Sequence, residues 1–493
     1  MITRHNNLIP AKLALSLCFL FLGCTSSVKT IPSPVDLPEQ FSATGTMALP
    51  DKWWQTFADE DLNAHIDRAL GENFDLMIAW DRLAQAQALA VREGVALYPD
   101  VNLNGSASRT REEIGSEHLY NNRYGAAVSV QYELDLWGRI RAARQGALLD
   151  VRANIENVHA TAIVLSGRIA RTWYQLAEAR AQADIINRQI ETNNKVLKLI
   201  TTQFRKGQIG AADVLRQRQL VESSRGQLIA AQEQIELLLH ELAVLMGTSP
   251  GSLTQPRETN LLDLPILPVV PIPSDLIRRR PDVRSVYIAI QAADQRVASA
   301  IADQFPRFSL SAAAETSGMK TRDLFDNWLA NIAGNLSQPL FDAHRRRAEI
   351  DRTRSVLSQA IHEYGRVILN ALRETEDALT QERRQAEYML NLEKQLQLAR
   401  KVLTRTRESY IKGKLDYLRV LEALVSLQRL ERDYLTAKRQ LITRRIDLCQ
   451  AIAGSWPMDQ PELSNLDKVN SENLKSIAEV SRLIDQKSDH SSK

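Results

Sequence analysis

The sequence predicts a mixed α and β fold made by tandem duplication of one unit. Three observations carry this. The stretch "RKGQIGAADVLRQ" (205–217) returns as "IKGKLDYLRVLEA" (411–423), stretches of strict polar–apolar alternation occur in both halves, and each half holds a long proline-free run. Aligning Gly207 with Gly413 gives an offset of 413 − 207 = 206, which sets Phe204 on Tyr410, Lys206 on Lys412 and Val214-Leu215 on Val420-Leu421. Near the same offset "LDLWGRIRAA" (134–143) meets "LFDAHRRRAE" (340–349), and "LYPDVNLNGSAS" (97–108) meets "QFPRFSLSAAAE" (304–315) one residue out of register. Self-similarity of this length makes each half one structural unit, and two copies are too few for a solenoid.

Each half opens with a helix, 74–97 and 282–304. Leu76, Ala79, Trp80, Leu83, Ala86 and Leu89 recur at helical spacing in the first. Pro99 and Pro306 stop these helices. Two strands follow. Val101, Leu103, Gly105 and Ala107 alternate with Asn102, Asn104, Ser106 and Ser108; then Val128, Val130, Tyr132, Leu134 and Leu136 alternate with Ser129, Gln131, Glu133 and Asp135. In the second half Phe308, Leu310 and Ala312 alternate with Ser309 and Ser311, and Ile332, Leu336 and Leu340 share a parity opposite to Asn331, Asn335 and Ser337. Period two with one polar face predicts strands wet on one side. After the strands, no proline lies between Pro99 and Pro250 or between Pro339 and Pro457. The runs 138–205 and 344–411 predict helices of roughly 100 Å at the α-helical rise. Gly207, Gly210 and Gly413 then mark helical hairpin turns, where glycine relieves the left-handed backbone that ends a helix.

The expected domain plan follows: 1–23 signal peptide, 24–73 anchor and equatorial segment, 74–263 first repeat, 264–281 linker and equatorial segment, 282–455 second repeat, and 456–493 polar tail, disordered toward its end. The proline cluster "LPILPVVPIP" (264–273) reads as an extended linker. At the N-terminus, Arg4 and Lys12 precede an apolar stretch Leu13–Leu22 and then Gly23-Cys24. That stretch is too short to span a bilayer and fits a secretory leader. A small residue before a cysteine resembles the bacterial lipoprotein cleavage site, with Cys24 as the lipidated residue, and Thr25 after it permits sorting to the outer membrane.

Bulk properties exclude several functions. A formal charge of +3 over 493 residues argues against broad nucleic-acid binding. The three cysteines, Cys18, Cys24 and Cys449, have no zinc or disulfide spacing. "GTSPG" (247–251) matches the nucleophile-elbow pattern, but it follows a helix and Pro250 makes it a turn, so catalysis by Ser249 is set aside. Cys449 and the Trp53-Trp54 pair read as packing residues. No catalytic residue, cofactor or metal site is expected.

Four strands cannot close a membrane barrel, and an open sheet with an apolar face aggregates. The chain is therefore expected to oligomerise around a lumen, with three copies giving twelve strands. The stretches "WWQTFADEDLNAHIDRALGENFDL" (53–76), "DLIRRRPDVRSVYIAIQAADQRVASAIADQFPRFSL" (275–310), "QPLFDAHRRRAEI" (338–350) and "ESYIKGKLDYLRVLEA" (408–423) resemble TolC-like outer membrane efflux proteins, over about residues 24–455. The likeness is closest to the lipoprotein branch serving resistance-nodulation-division (RND) multidrug pumps. That resemblance implies a homotrimer with a twelve-stranded outer membrane β-barrel, four strands per chain, continuous with a twelve-helix periplasmic barrel and a small mixed α/β equatorial domain. It implies an inner-membrane RND pump and a periplasmic adaptor as partners, outer membrane lipid around the barrel, a Gram-negative outer membrane location, and neither catalytic site nor cofactor.

Carried onto matching positions, the resemblance offers Leu418 as an apolar constriction at the periplasmic gate, Glu422 as an acidic ring, Asp213 as an acidic gate residue and Tyr410 as an aromatic latch. Arg419 stands where relatives can carry an acid, which argues against strong cation selectivity and suggests an Arg419–Asp213 or Arg419–Glu422 pair at the mouth. The leading expectation is a passive exit duct for small molecules. One alternative is the outer membrane duct of an ATP-driven type I protein secretion system; another is a periplasmic coiled-coil adaptor without a pore, against which the repeated strand pairs argue.

Overall fold

A computed structural model describes residues 34–114, 117–252 and 261–458, without the side chains of residues 114, 117 and 118. Cys24, the leader and most of the polar tail lie outside the described residues. Contacts divide the chain into Met1–Asp36 and Leu37–Lys493, and all that follows concerns the second unit.

A 3-10 turn, Trp53–Phe57, precedes α1 (Glu60–Glu72) and α2 (Phe74–Val95). Strands β1 (Asp100–Ile114) and β2 (Glu117–Leu134) lead into α3 (Arg139–Arg205) and its return helix α4 (Ala211–Leu245). After the linker come α5 (Pro273–Arg279) and α6 (Pro281–Ala302). Strands β3 (Arg307–Gly318) and β4 (Trp328–Ser337) follow, then α7 (Arg345–Ile411) and α8 (Tyr417–Ile452). Both repeats thus read helix, two strands, long hairpin, and α3 and α7 are each 67 residues, roughly 100 Å.

The sheet is antiparallel in the order β1-β2-β3-β4, leaving β1 and β4 as open edges. Its register aligns like faces across all four strands: Leu103 opposes Val128, Val128 opposes Ala314, and Ala314 opposes Ala330. One face therefore carries Val101, Leu103, Val128, Val130, Leu310, Ile332 and Leu336, and the other Asn102, Asn104, Ser129, Gln131, Ser309, Ser311 and Asn335. From Leu134 to Tyr124 the apolar face of β2 runs eleven residues, about 35 Å along the strand and about 27 Å along the axis of a barrel whose strands tilt by about 40°. That is the height of a membrane band. Among the described residues no helix is long and apolar enough to cross a membrane.

Three expected strand residues fall outside the sheet. Asp135 and Leu136 lie in the turn into α3, and Leu340 in the turn into α7. The Asp135 carboxylate accepts from the Ile140 and Arg141 backbone N–H groups at 3.0 and 2.9 Å, and Asp342 accepts from Arg346 N at 3.3 Å. These caps start the helical turn and take the chain off the ladder.

Helix α3 is the axis of the helical layer. It packs against α2 and α4 on one side and α6 and α8 on the other, with α7 beyond α6 and α8. The return helices stop short, and another helix resumes each line. Asn73 caps α2 by accepting from Leu76 N at 3.1 Å, and its Nδ2 donates 2.9 Å to the Leu245 carbonyl at the end of α4. Gly247 fits only as glycine: its φ is +70°, and a Cβ would lie 2.2 Å from the Glu72 carbonyl oxygen. Arg280, before α6, donates from Nη1 to the Ala451 carbonyl of α8 at 3.2 Å. Thus α4 runs head-to-tail into α2, and α8 into α6. The buried stripe of α2 is Leu76, Ala79, Leu83, Ala86 and Ala90; Leu89, expected on that face, is 47% exposed because the helical repeat carries the stripe to Ala90.

At mid-height the described segments before α1 and after α8, together with the linker, pack on the helices. The indoles of Trp53, Trp54 and Trp456 are buried edge-to-face, Trp54 against Trp456 at 5.2 Å. Asp59 caps α1 and also accepts from Trp173 Nε1 at 2.9 Å. Gly45 passes so close to the linker that a Cβ would meet the Leu267 carbonyl oxygen at 1.9 Å. Lys438 holds Asp263 at 2.7 Å, and the buried Arg445 of α8 pairs with Glu382 of α7 while donating to the Pro265 and Ile266 carbonyls. Cys449 is packed in the core, where burial pushes its thiol up to about 12.

Candidate functional site: the hairpin tips

The two hairpin turns end α3 and α7 in the same way. Gly207 and Gly413 have φ of +68° and +70°, and the N–H three residues past each helix bonds back over five residues, Gln208 to the Gln203 carbonyl (3.0 Å) and Lys414 to that of Ser409 (2.9 Å). Gly210 differs from the expectation. Its φ of −81° and ψ of 158° are ordinary extended backbone, and it is the N-cap of α4. At the offset of 206 it corresponds to Asp416, whose carboxylate caps α8 by accepting from Arg419 N at 3.2 Å.

An apolar cluster joins the tips: Ile200, Val214, Tyr417 and Leu421 are buried together, with Ile209, Tyr410 and Val420 packed on them. Two tyrosines cross from the second hairpin to the first. Tyr410 donates to Gln203 Oε1 at 2.8 Å, Tyr417 donates to Gln217 Oε1, and their rings meet edge-on at 6.1 Å. Burial is the main cause that raises both phenols' pKa, and the Asp213 carboxylate beside them adds to it. Behind Gln217 lies a buried polar ladder. Gln217 Nε2 donates to the Asn193 carbonyl at 2.8 Å, Asn193 Nδ2 to Ser224 Oγ at 3.1 Å, and Gln428 Nε2 to Asn193 Oδ1 at 2.9 Å. Asn193 and Gln217 are fully buried, so each lost partner would strand a polar group. The ladder therefore fixes the register of one hairpin on the other.

The structure gathers the expected mouth residues at this tip and makes one of the two expected pairs, Arg419–Glu422, but not the other. Asp213 bonds Arg216 of its own helix at 3.5 Å, and Arg419 bonds Glu422 at 3.4 Å. An Arg419–Asp213 bond within the chain is not made, because capping and three-residue helical spacing give each charge a nearer partner. Leu418 is half-buried, whereas Arg419 and Glu422 project away from the face Tyr417, Leu421 and Leu424 turn inward. Between the tips lies a groove of 1260 Å³, lined among others by Lys195, Asp213, Arg407, Glu408 and Leu415. Tyr417, Gln217, Asn193 and Gln428 went unremarked in the sequence. The signal for Tyr417 is its spacing to Leu421 and Leu424 on one face of α8.

A sheet with one apolar and one polar face, joined to helical hairpins of this length, defines a subunit of an outer membrane channel rather than an enzyme. The chain belongs to the outer membrane efflux protein family, whose sequence model matches residues 65–248 and 272–454, one segment in each repeat. It is 28% identical to the pyoverdine export outer membrane protein OpmQ of Pseudomonas aeruginosa, over 92% of this chain and 98% of that protein. It is 25% identical to the cation efflux system protein CusC of Escherichia coli, over 91% of this chain and 98% of that protein. The solved outer-membrane channel OprN superposes with a TM-score of 0.80 at 24% identity, over 87% of this chain and 98% of that one, a likeness of fold. The protein is thus an outer membrane protein with a large periplasmic helical portion, as the sequence leads one to expect.

Proposed function

We propose that three copies close through the free edges β1 and β4 into a twelve-stranded barrel and a helical tube, forming the passive exit duct of a tripartite efflux system. An inner-membrane RND pump supplies the energy, a periplasmic adaptor joins pump to duct, and Cys24 carries a lipid anchor. The observation that carries this reading is the two-faced sheet with both edges unpaired, continuous with hairpins of roughly 100 Å. Relatives named for cargoes as different as pyoverdine and cations fit a wide duct that reads little of what passes.

The hairpin tips form the periplasmic gate. Tyr410 and Tyr417 latch the second hairpin to the first, Leu418 narrows the mouth, and Asp213, Arg419 and Glu422 set its field. The exposed Arg419–Glu422 pair contributes under ~1 kcal/mol, so the tyrosine–glutamine bonds and the apolar cluster carry the closed state. Two measurements test the reading. A deletion strain is expected to accumulate small toxic compounds and to secrete polypeptides normally; the reverse pattern assigns the duct to a protein exporter. In planar bilayers Asp213→Ala and Arg419→Ala are expected to raise conductance modestly and Tyr417→Phe to raise it more. A purified protein that stays monomeric and conducts nothing refutes the duct.

A further inference from the structure

The two β-hairpins differ in height, and the taller one is armed on its lipid-facing side. Strand β3 ends at Gly318, paired with Tyr124, whereas β1 and β2 continue pairing up to Ile114 and Glu117. On the apolar face the last hydrophobic row is Ala107 and Tyr124; the next rows are Arg109 with Asn122, then Arg111 with Tyr120. At about 40° tilt these rows stand about 5 and about 10 Å beyond Tyr124 along the membrane normal. That is headgroup depth. The Arg109 guanidinium lies 4.8 Å over the Tyr120 ring, which fixes its position and leaves its edge free to donate. Among the described residues Arg109 has no carboxylate partner, and Arg111, one row further out on the same face, is paired with Glu113 at 4.0 Å. The shorter hairpin leaves a step beside them, with Met319, Phe325 and Trp328 each more than 60% exposed.

We propose that Arg109 and Arg111 seat the phosphate groups of the phosphorylated glycolipid of the outer leaflet, with its acyl chains over the exposed apolar residues of the step. Arginine suits this because its planar fork bonds phosphate in pairs and a ring face holds it in place. The same height on the opposite face carries Arg123, paired in register with Ser108 and turned toward the duct, which supplies an internal control. The inference rests on the closed-barrel reading.

The test is native mass spectrometry of the purified full-length protein with hexa-acylated lipid A bearing two phosphates, against the same lipid with the phosphates removed. The wild type is expected to retain the phosphorylated form preferentially. Arg109→Gln with Arg111→Gln weakens that retention by roughly fivefold for each arginine, Arg109→Lys with Arg111→Lys, which keeps the charge but not the fork, falls between that variant and wild type, and Arg123→Gln leaves it unchanged. Equal retention of the two lipids by the wild type, or an equal loss in Arg123→Gln, overturns the seat, and the wild-type comparison decides even where the double variant does not assemble. A monomeric sample overturns the assembly reading itself; a trimer indifferent to the phosphates overturns only the seat.

Discussion

Replacing Arg445 by leucine separates two jobs that one side chain performs at mid-height. Its guanidinium is 5% exposed and bonds the Glu382 carboxylate, itself 9% exposed, from Nε at 2.9 and 3.1 Å and also from Nη2. Its Nη1 reaches the Pro265 and Ile266 carbonyls at 2.8 and 3.1 Å, pinning the linker to α8. Two costs follow its removal. Glu382 stays behind as a buried charge without compensation, about 3–5 kcal/mol. The linker carbonyls lose about 1 kcal/mol each at most, since Ile266 is 70% exposed and water replaces the donor. The first cost dominates stability, and the second decides whether the linker stays attached. Arg445→Leu is therefore expected to lower unfolding stability in urea by about 3–5 kcal/mol and to expose residues 261–272 to limited proteolysis. Arg445→Leu with Glu382→Leu regains most of the stability, because two apolar side chains need no compensation, yet leaves the linker open to cleavage. A single variant as stable as wild type, or a double variant whose linker is protected, refutes this division.

Three other expectations concern backbone, latch and proton. Gly207→Ala and Gly413→Ala each cost about 1 kcal/mol through positive φ, as nothing lies near either site, whereas Gly210→Ala meets no φ penalty and loses only the N-cap preference for glycine, about 0.5 kcal/mol or less; urea midpoints of the three variants check the contrast. Tyr417→Phe strands Gln217 Oε1 in the core and costs about 1–3 kcal/mol, more than Tyr410→Phe at the wetter site, and thermal unfolding ranks the two. Burial raises Glu156 above the ordinary carboxylate range against the opposing pull of Arg284, which lies at 2.7 Å. With the folded pKa above the unfolded one, its contribution to stability is full below the unfolded value and is lost as pH rises through the folded value. A melting temperature that falls over the mildly acidic range in wild type, and falls less in Glu156→Gln, is the expected pair of curves; identical curves reject the assignment.

Much of this architecture was legible because few rules were in conflict. The α3 and α7 runs contain no proline, and their glycine stops occur where the repeat puts them, so both helices were expected within one residue of their observed starts. The faces of β1 to β4 follow from alternation, which the register preserves across the sheet. Alternation vanishes where both faces are wet, and so the run Arg109–Glu113 gave no strand signal although it pairs in full with β2. Gly210 misled because glycine composition does not reveal φ. The joints at Asn73–Leu245 and Arg280–Ala451 join residues 172 and 171 positions apart, and no local pattern records them. At the tip, the family resemblance drew attention to Asp213 and Arg419, while the crossing contacts come from Tyr417, Gln217 and Asn193, whose roles depend on burial.

The head-to-tail meetings of α4 with α2 and of α8 with α6 have a mechanical consequence. Load along a continuous helix passes through every rung of its hydrogen-bond ladder, but across these seams it passes through a few side-chain contacts. Each column therefore has an expansion joint at the belt. Twist or splay imposed on the lower part of these two columns is taken up at the seams, whereas the unbroken α3 and α7 carry it through.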